Sequence, residues 1–326
     1  MRRTPRSPLP QRHGLDAARL TLPAEGPWTT LRDHLVDRLP RVPPERIDAM
    51  LREKRIVGRD GPLAPDAPFV PRARIWFHRD LPAEVPVPFE ITVVHRDDAL
   101  LVVDKPHFLA TIPRGRHVVE TALVRLRRDL DLPELSPAHR LDRTTAGLLM
   151  FVVRRELRGA YQTMFRDRLV HKTYEAVAPN AAGLPLPCSV CSRIVKERGV
   201  IAAREEPGPP NAETSIELLA RRGGLGRYRL HPRTGRTHQL RLHMLGLGVP
   251  ILGDDIYPVL TETAPDDFAR PLQLLATRLE FTDPLTGRPR RFTTRADLQA
   301  WTSFPDWASG RATSAAQGAL GAPHAT

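Results

Sequence analysis

The sequence predicts an α+β protein: a mixed, mostly antiparallel sheet with flanking helices, preceded by a small α/β unit. Three observations point that way. Strand-like runs adjoin as hairpins more than they alternate with helices. Two amphipathic helical patterns stand together near the N-terminus. A Pro-rich stretch, 82–88 (PAEVPVP), separates them from the longer region. The expected boundaries are a disordered basic leader at 1–26, the small unit at 27–81, the linker at 82–88, a large unit at 89–305 and a disordered tail at 306–326.

The leader is rich in Arg and Pro without hydrophobic periodicity, which fits a solvated tail or a nonspecific RNA contact. In the small unit, TTLRDHLVDRL sets Leu31, Leu35 and Leu39 at helical spacing, with Thr29 or Thr30 as the N-cap. PPERIDAMLREKRIV offers a second helix with Pro in its first turn and an Ile47–Met50–Leu51 stripe. The following GRDGPLAPDAPFVPRARIWF reads as short strands split by turns. Two helices and a small sheet, with Arg46, Arg52, Lys54 and Arg55 on the polar side, resemble an S4-type RNA-binding module.

In the large unit, EITVVH and LLVVDKP flank the turn RDDA as a hairpin, and VETALVRLRRDL is a helix. GLLMFVV is a buried strand, ELRGAYQTMFRDRL a helix and KTYEAVAP a strand. TSIELLA and GRYRLHP form a hairpin around RRGGL, and THQLRLHMLGLG is a helix ended by glycine.

The 326 residues suffice for two domains, and 41% hydrophobic with 26% charged residues excludes a disordered chain. The net charge is +12, and four lysines leave 45 of the 49 cations as Arg. A polyanionic partner, most simply nucleic acid, explains this excess, and so does the codon bias of a GC-rich genome. No apolar run approaches the ~18 residues of a membrane span. The N-terminus lacks the apolar stretch of a secretory signal. Two cysteines make neither a disulfide framework nor a four-Cys zinc site. The expected location is cytoplasmic.

Three segments carry chemistry. His139-Arg140-Leu141-Asp142-Arg143-Thr144-Thr145-Ala146-Gly147 is a polar loop running into the buried strand. Its tight turn holds Asp142 at the strand mouth, where a carboxylate among cations stays charged. The alternative is that Asp142 merely caps the turn. In His231-Pro232-Arg233-Thr234-Gly235-Arg236-Thr237-His238, Thr237 is placed to N-cap the next helix, with Arg241 on the same face. His238 and His243 are five apart, the wrong spacing for a paired zinc helix, so each reads as a satisfied polar residue. In His171-Lys172-Thr173-Tyr174-Glu175, Lys172 and Tyr174 share one strand face. Tyr174 suits stacking on a nucleobase, or plain packing.

Taken in chain order, these segments resemble the RluA-type family of RNA pseudouridine synthases. ITVVHRDDALLVVDKP is similar to that family's opening segment, ending in Asp104-Lys105-Pro106. HRLDRTTAGLLMF is similar to the catalytic loop, HKTYEAV to the tyrosine strand and PRTGRTHQLRLHMLGLGVPILGD to the closing motif. LQLLATRLEFTDPLTG resembles the last strand segment, and the likeness covers about residues 90–295. The sequence departs at Ala146, where many members have Ser, and at KRIVGRDG, which lacks the usual Val-Asn-Gly of an S4 module.

The resemblance implies the pseudouridine synthase fold, an RNA partner (ribosomal or transfer RNA), no cofactor, no metal and no membrane, with a monomer as the default. It implies that Asp142 is the catalytic aspartate, that Tyr174 packs on the uracil and that Arg241 ion-pairs with the aspartate. Arg140 fills the gap left by a flipped base, and His139, Arg143, Arg236 and His238 complete the RNA-binding set. The reaction breaks N1–C1′ of uridine, turns the base and joins C5 to C1′. Asp142 attacks C1′, attacks C6 or takes the C2′ proton; Tyr174 or a neighbouring water then takes the C5 proton. A protein-kinase reading of His-Arg-Leu-Asp fails for want of the Gly-rich loop and Asp-Phe-Gly. CSVC (188–191) reads as a loop with two small buried thiols. The competing class is a noncatalytic RNA-binding protein on the same fold; Asp142, Tyr174 and Arg241 all being present argues against it.

Overall fold

The computed structural model describes residues 7–311 apart from 82, 181 and 182. The first six residues of the expected leader and residues 312–326 of the expected tail lie outside that range. The chain divides into two units: the described residues up to Ala83 with Arg127–Pro133, and Glu84–Leu126 with the described residues from Glu134 on.

The first unit contains β1 (Ala18–Thr21), α1 (Leu31–Arg38), α2 (Pro44–Arg52), β2 (Ile56–Val57) and β3 (Arg74–Phe77). Thr30 caps α1 through a capping box: its Oγ1 accepts the Asp33 N–H at 3.1 Å, and the Asp33 carboxylate accepts the Thr30 N–H at 3.2 Å. Pro44 opens α2, whose Ile47, Met50 and Leu51 are buried with Leu31 and Leu35 of α1. The strands form one antiparallel sheet in the order β1-β3-β2.

β1 corrects the expected leader, because residues 18–21 are a strand. Its four residues carry too short an alternation to read alone; pairing to β3 and the packing of Ala18 and Leu20 on the core hold it. Two of the four expected RNA-facing cations are engaged within the unit. Arg46 and Arg55 both pair with Asp80, at 2.6 and 3.0 Å, whereas Arg52 and Lys54 are exposed.

The second unit contains β4 (Thr92–Arg96), β5 (Leu100–Lys105), α3 (Ala122–Asp129) up to Leu126, β6 (Ser136–Pro137), β7 (Ala146–Val152) and α4 (Arg158–Arg166). It continues through β8 (His171–Pro179), β9 (Cys188–Val195), β10 (Arg204–Glu206), β11 (Ala212–Arg222), β12 (Leu225–Pro232) and α5 (Gln239–Gly246). It closes with β13 (Leu274–Thr282), β14 (Pro289–Thr293), α6 (Gln299–Thr302) and α7 (Phe304–Ser309). Eleven strands make one sheet in the order β10-β9-β11-β12-β8-β13-β7-β5-β4, with β14 on β13 and β6 on β7. Among the described strand pairings of this sheet only β7 with β13 is parallel, so the sheet is mixed and mostly antiparallel, as hairpin adjacency predicts. Every residue of β7 is buried: Leu148, Met150 and Val152 pack with Tyr161 and Met164 of α4, and Ala146 with Trp301 of α6 and Trp307 of α7.

Two expectations fail here. The CSVC segment is the start of β9, paired to β11, and not a loop; Cys188 is half-buried and Cys191 exposed. The tail is ordered past residue 305, because Trp307 of α7 joins Trp301, Leu298, Leu275 and Val177 in a common core. Among the described residues no helix is long and apolar enough to cross a membrane.

The β12-β8-β13-β7 neighbourhood positions the site. Ala276 of β13 pairs with Tyr174 of β8 on one side and with Gly147 of β7 on the other. Leu230 of β12 pairs with Tyr174 from its free side. Segments far apart in sequence are thereby brought to one place on four adjacent strands.

Candidate active site

An open cleft of about 1320 Å³ lies in the second unit. His139, Arg140, Asp142, Arg143, Tyr174, Arg236, His238 and Arg241 all line it. Nine Arg and two Lys side chains face the cleft, against the carboxylates of Asp142, Asp255 and Glu262. Cations concentrated in a concave wall attract a polyanion.

The Asp142 loop is held from below by the segment after β5. The Lys105 ammonium donates to the carbonyls of Pro106 and Leu109, both at 2.8 Å, and of Arg143 at 3.3 Å. His107 Nδ1 donates to the Thr144 carbonyl at 2.7 Å. Thr111 Oγ1 donates to the Leu141 carbonyl at 2.7 Å and accepts the Leu141 N–H at 3.1 Å. The Thr145 N–H closes the turn on the Asp142 carbonyl at 3.2 Å. Gly147 then enters β7 at φ +102°, where a Cβ would stand 2.3 Å from the Ala276 carbonyl oxygen. Only glycine permits that approach. Ala146 beside it is buried, and its methyl fits the core of Val177 and Leu275.

Burial draws the Lys105 ammonium down to about 7, with the Asp142 charge pulling the other way. Burial likewise draws His107 down to about 4. Burial, helped by the Asp142 charge, pushes the Tyr174 hydroxyl well above its ordinary value. The Tyr174 hydroxyl thus holds its proton more firmly than that of a free tyrosine. Lys172, on the same strand face, donates to the Thr234 carbonyl at 3.1 Å, and burial lowers it to about 8.

Arg241 is the most deeply buried cation of the cleft wall. Its Nε donates to Asp254 at 2.7 Å, and its Nη2 donates to Asp254 and, at 2.9 Å, to Asp255. The expected ion pair with Asp142 is thus replaced by one with Asp254 and Asp255, whose carboxylates match the guanidinium fork. Burial opposes the Arg241 charge, but Asp254, by hydrogen bond and charge, with Asp142 and Asp255 acting through charge, turns the balance upward.

The helix carrying Arg241 is also capped differently from the sequence expectation. His238, at φ +58°, is the N-cap and makes no side-chain cap bond, so Thr237 is not the cap. Gln239 organises the start instead: its Oε1 accepts from Thr234 Oγ1 at 2.7 Å and from the Arg236 N–H at 3.0 Å, and its Nε2 donates to the Glu213 carbonyl and Thr214 Oγ1. His238 and His243 are satisfied polar residues, with His238 Nδ1 at 2.9 Å from the Tyr257 hydroxyl and His243 Nδ1 at 2.9 Å from Thr214 Oγ1.

The remaining predicted residues differ in character. Arg140 is exposed on the cleft wall. Arg143 lies 3.6 Å from Asp255 and 5.8 Å from the centre of the Phe108 ring. Arg236 is exposed, with Nε donating to the Asn211 carbonyl at 3.2 Å. His139 stacks on Phe165 at 4.5 Å and its Nε2 accepts the Met150 N–H at 3.1 Å. Burial lowers it to about 3, so it is a neutral clamp between loop and strand.

Sequence reasoning missed Asp254, Asp255, His107 and Thr111. The Asp-Asp pair closing the last motif is a signal for the first two, since a buried Arg demands carboxylates. His107 and Thr111 act through backbone carbonyls and leave no such signal.

The fold and cleft define an RNA-modifying enzyme built on the pseudouridine synthase sheet. Residues 99–245 match the family model described as RNA pseudouridylate synthase. The chain is 33% identical over 219 residues to the "Dual-specificity RNA pseudouridine synthase RluA" of Haemophilus influenzae, covering 64% of this chain and 94% of that protein. The protein of the same name from Pasteurella multocida is 34% identical over 225 residues, covering 66% and 91%. A solved structure, "Human RNA Pseudouridylate Synthase Domain Containing 4", shares the fold with a TM-score of 0.51 at 22% identity, over 67% of this chain and 93% of that one. The chain belongs to the RluA-type family of RNA pseudouridine synthases, and its activity is the isomerisation of uridine in RNA.

Proposed function

We propose that the enzyme acts on ribosomal or transfer RNA in the cytoplasm, with Asp142 as its catalytic carboxylate. One observation carries this assignment: Asp142 lines the cleft among nine Arg and two Lys side chains, on a loop held by Lys105, His107 and Thr111. A carboxylate held among the cations of a concave cleft is where an intramolecular rearrangement of uridine is best driven.

The target uridine leaves its stack and enters the cleft, at a cost of a few kcal/mol. Arg140, free on the wall, fills the space it vacates. The uracil packs on the Tyr174 ring, which is buried and neutral. Asp142 then acts as nucleophile or base where ribose and base join. Arg241, fixed by Asp254 and Asp255, supplies positive potential without pairing directly, so the Asp142 oxygens remain available to substrate. Tyr174 or a neighbouring water then takes the C5 proton. Arg143, Arg236 and the other cleft cations hold phosphates. His139 and His238 hold loop and helix in place.

The first unit is proposed as an S4-like RNA-binding module. Its two helices on a three-stranded sheet support that reading, with Arg52 and Lys54 as its exposed cations. Nucleotide-resolution pseudouridine maps of the host with and without this gene test the substrate assignment. Sites that vanish on deletion and return with wild type, but not with Asp142→Asn, identify the RNA. Sites confined to messenger RNA would contradict it.

A further inference from the structure

Val200, Ile201 and Leu260 line the same cleft, yet Ile201 is 61% and Leu260 54% exposed to solvent. Exposed aliphatic side chains at a cationic cleft call for something that covers them. Their backbone is pinned. Lys196 Nζ donates to the carbonyls of Glu197, at 2.9 Å, and Val200, and Gly199 turns at φ +89°. Two residues on, the Ala203 N–H donates to the Tyr257 hydroxyl and that hydroxyl donates to the Ala203 carbonyl, both at 2.8 Å. The loop bearing Leu260 is closed by the Thr261 N–H on the Asp255 carbonyl at 2.9 Å. Tyr257 therefore ties this rim to the cleft wall, since its ring lies 5.3 Å from the Arg241 guanidinium.

We propose that Val200, Ile201 and Leu260 form an apolar ridge that packs against the face of an unstacked nucleobase next to the target uridine. This rests on the reading that the cleft holds RNA. Flipping one base strips a stacking partner from its neighbours, and a neighbour that Arg140 does not cover exposes an apolar face. Aliphatic side chains have no donors or acceptors, so they recognise that face and not the base edge. Lys196, Arg233 and Arg236 line the same cleft and provide phosphate contacts beside the ridge. A rim fixed in advance loses little entropy when the base docks.

The test uses an in vitro transcript bearing a uridine that the enzyme modifies, and the same RNA with an abasic residue on either side of it. Ile201→Ser/Leu260→Ser, two exposed positions outside the catalytic machinery, is compared with wild type. The variant should melt as wild type does and retain kcat, with KM raised about fivefold to tenfold. Wild type should show the same rise on one of the abasic RNAs, and the variant no further rise on it. An unchanged KM, or penalties that multiply, overturns the ridge and leaves it to a protein partner. A wild type that modifies no ribosomal or transfer RNA transcript overturns the substrate reading, and the ridge with it.

Discussion

Arg241 and Asp254 form a bidentate ion pair in which both side chains are 2% exposed. Asp254 also accepts the N–H groups of Ile256 and Tyr257, at 2.9 and 2.8 Å, so the pair sets the path of the chain behind the cleft. Asp254→Ala leaves a buried guanidinium without its main partner and should cost about 3–5 kcal/mol. Arg241→Leu/Asp254→Leu should regain part of that stability and none of the activity. Urea unfolding with parallel activity measurements checks this; a double variant with wild-type activity would remove Arg241 from the site.

Gly147 joins the Asp142 loop to the Tyr174 strand through Ala276. Gly147→Ala forces a side chain onto a backbone at φ +102° and into the Ala276 carbonyl. A loss of more than about 2 kcal/mol is expected, with a fall in kcat larger than stability explains. Thermal melting and steady-state kinetics of the purified variant separate the two effects.

Two neutral histidines grip the catalytic loop. His107 and His139 titrate near 4 and 3 in the folded protein, against about 6.5 unfolded. Their folded values are depressed, so the stability they contribute is present above 6.5 and is lost as pH falls toward 4. Tm should decline over that window, and His107→Gln/His139→Gln should flatten the decline. A wild-type Tm constant from pH 7 to 4 would contradict it.

Eleven cations on one cleft imply that phosphate contacts dominate RNA affinity. Filter binding to a fixed transcript should weaken steeply between low and physiological salt. A flat response would place the RNA elsewhere.

Much of this was legible in the residues, for reasons that differ by element. The α1 cap was readable because Thr30 and Asp33 satisfy each other locally. The buried strand β7 was readable because it runs apolar throughout, and every one of its residues is buried. β1 was not, because its stability comes from pairing with β3, far along the chain. The cleft-lining residues could be picked out by family likeness, yet the partner of Arg241 could not. Asp142 follows His139-Arg140-Leu141 and Asp254 follows Ile251-Leu252-Gly253, and only the folded chain distinguishes the carboxylate that grips the guanidinium from the one left for substrate.

The most direct test is release of tritium from RNA labelled at uridine C5, because C5 must lose its hydrogen when it bonds to C1′. Wild-type enzyme should release tritium from ribosomal or transfer RNA transcripts. Asp142→Asn should fold and bind the same RNA with similar affinity while releasing none. Tritium release by Asp142→Asn at the wild-type rate would contradict the assignment of Asp142 as the catalytic carboxylate.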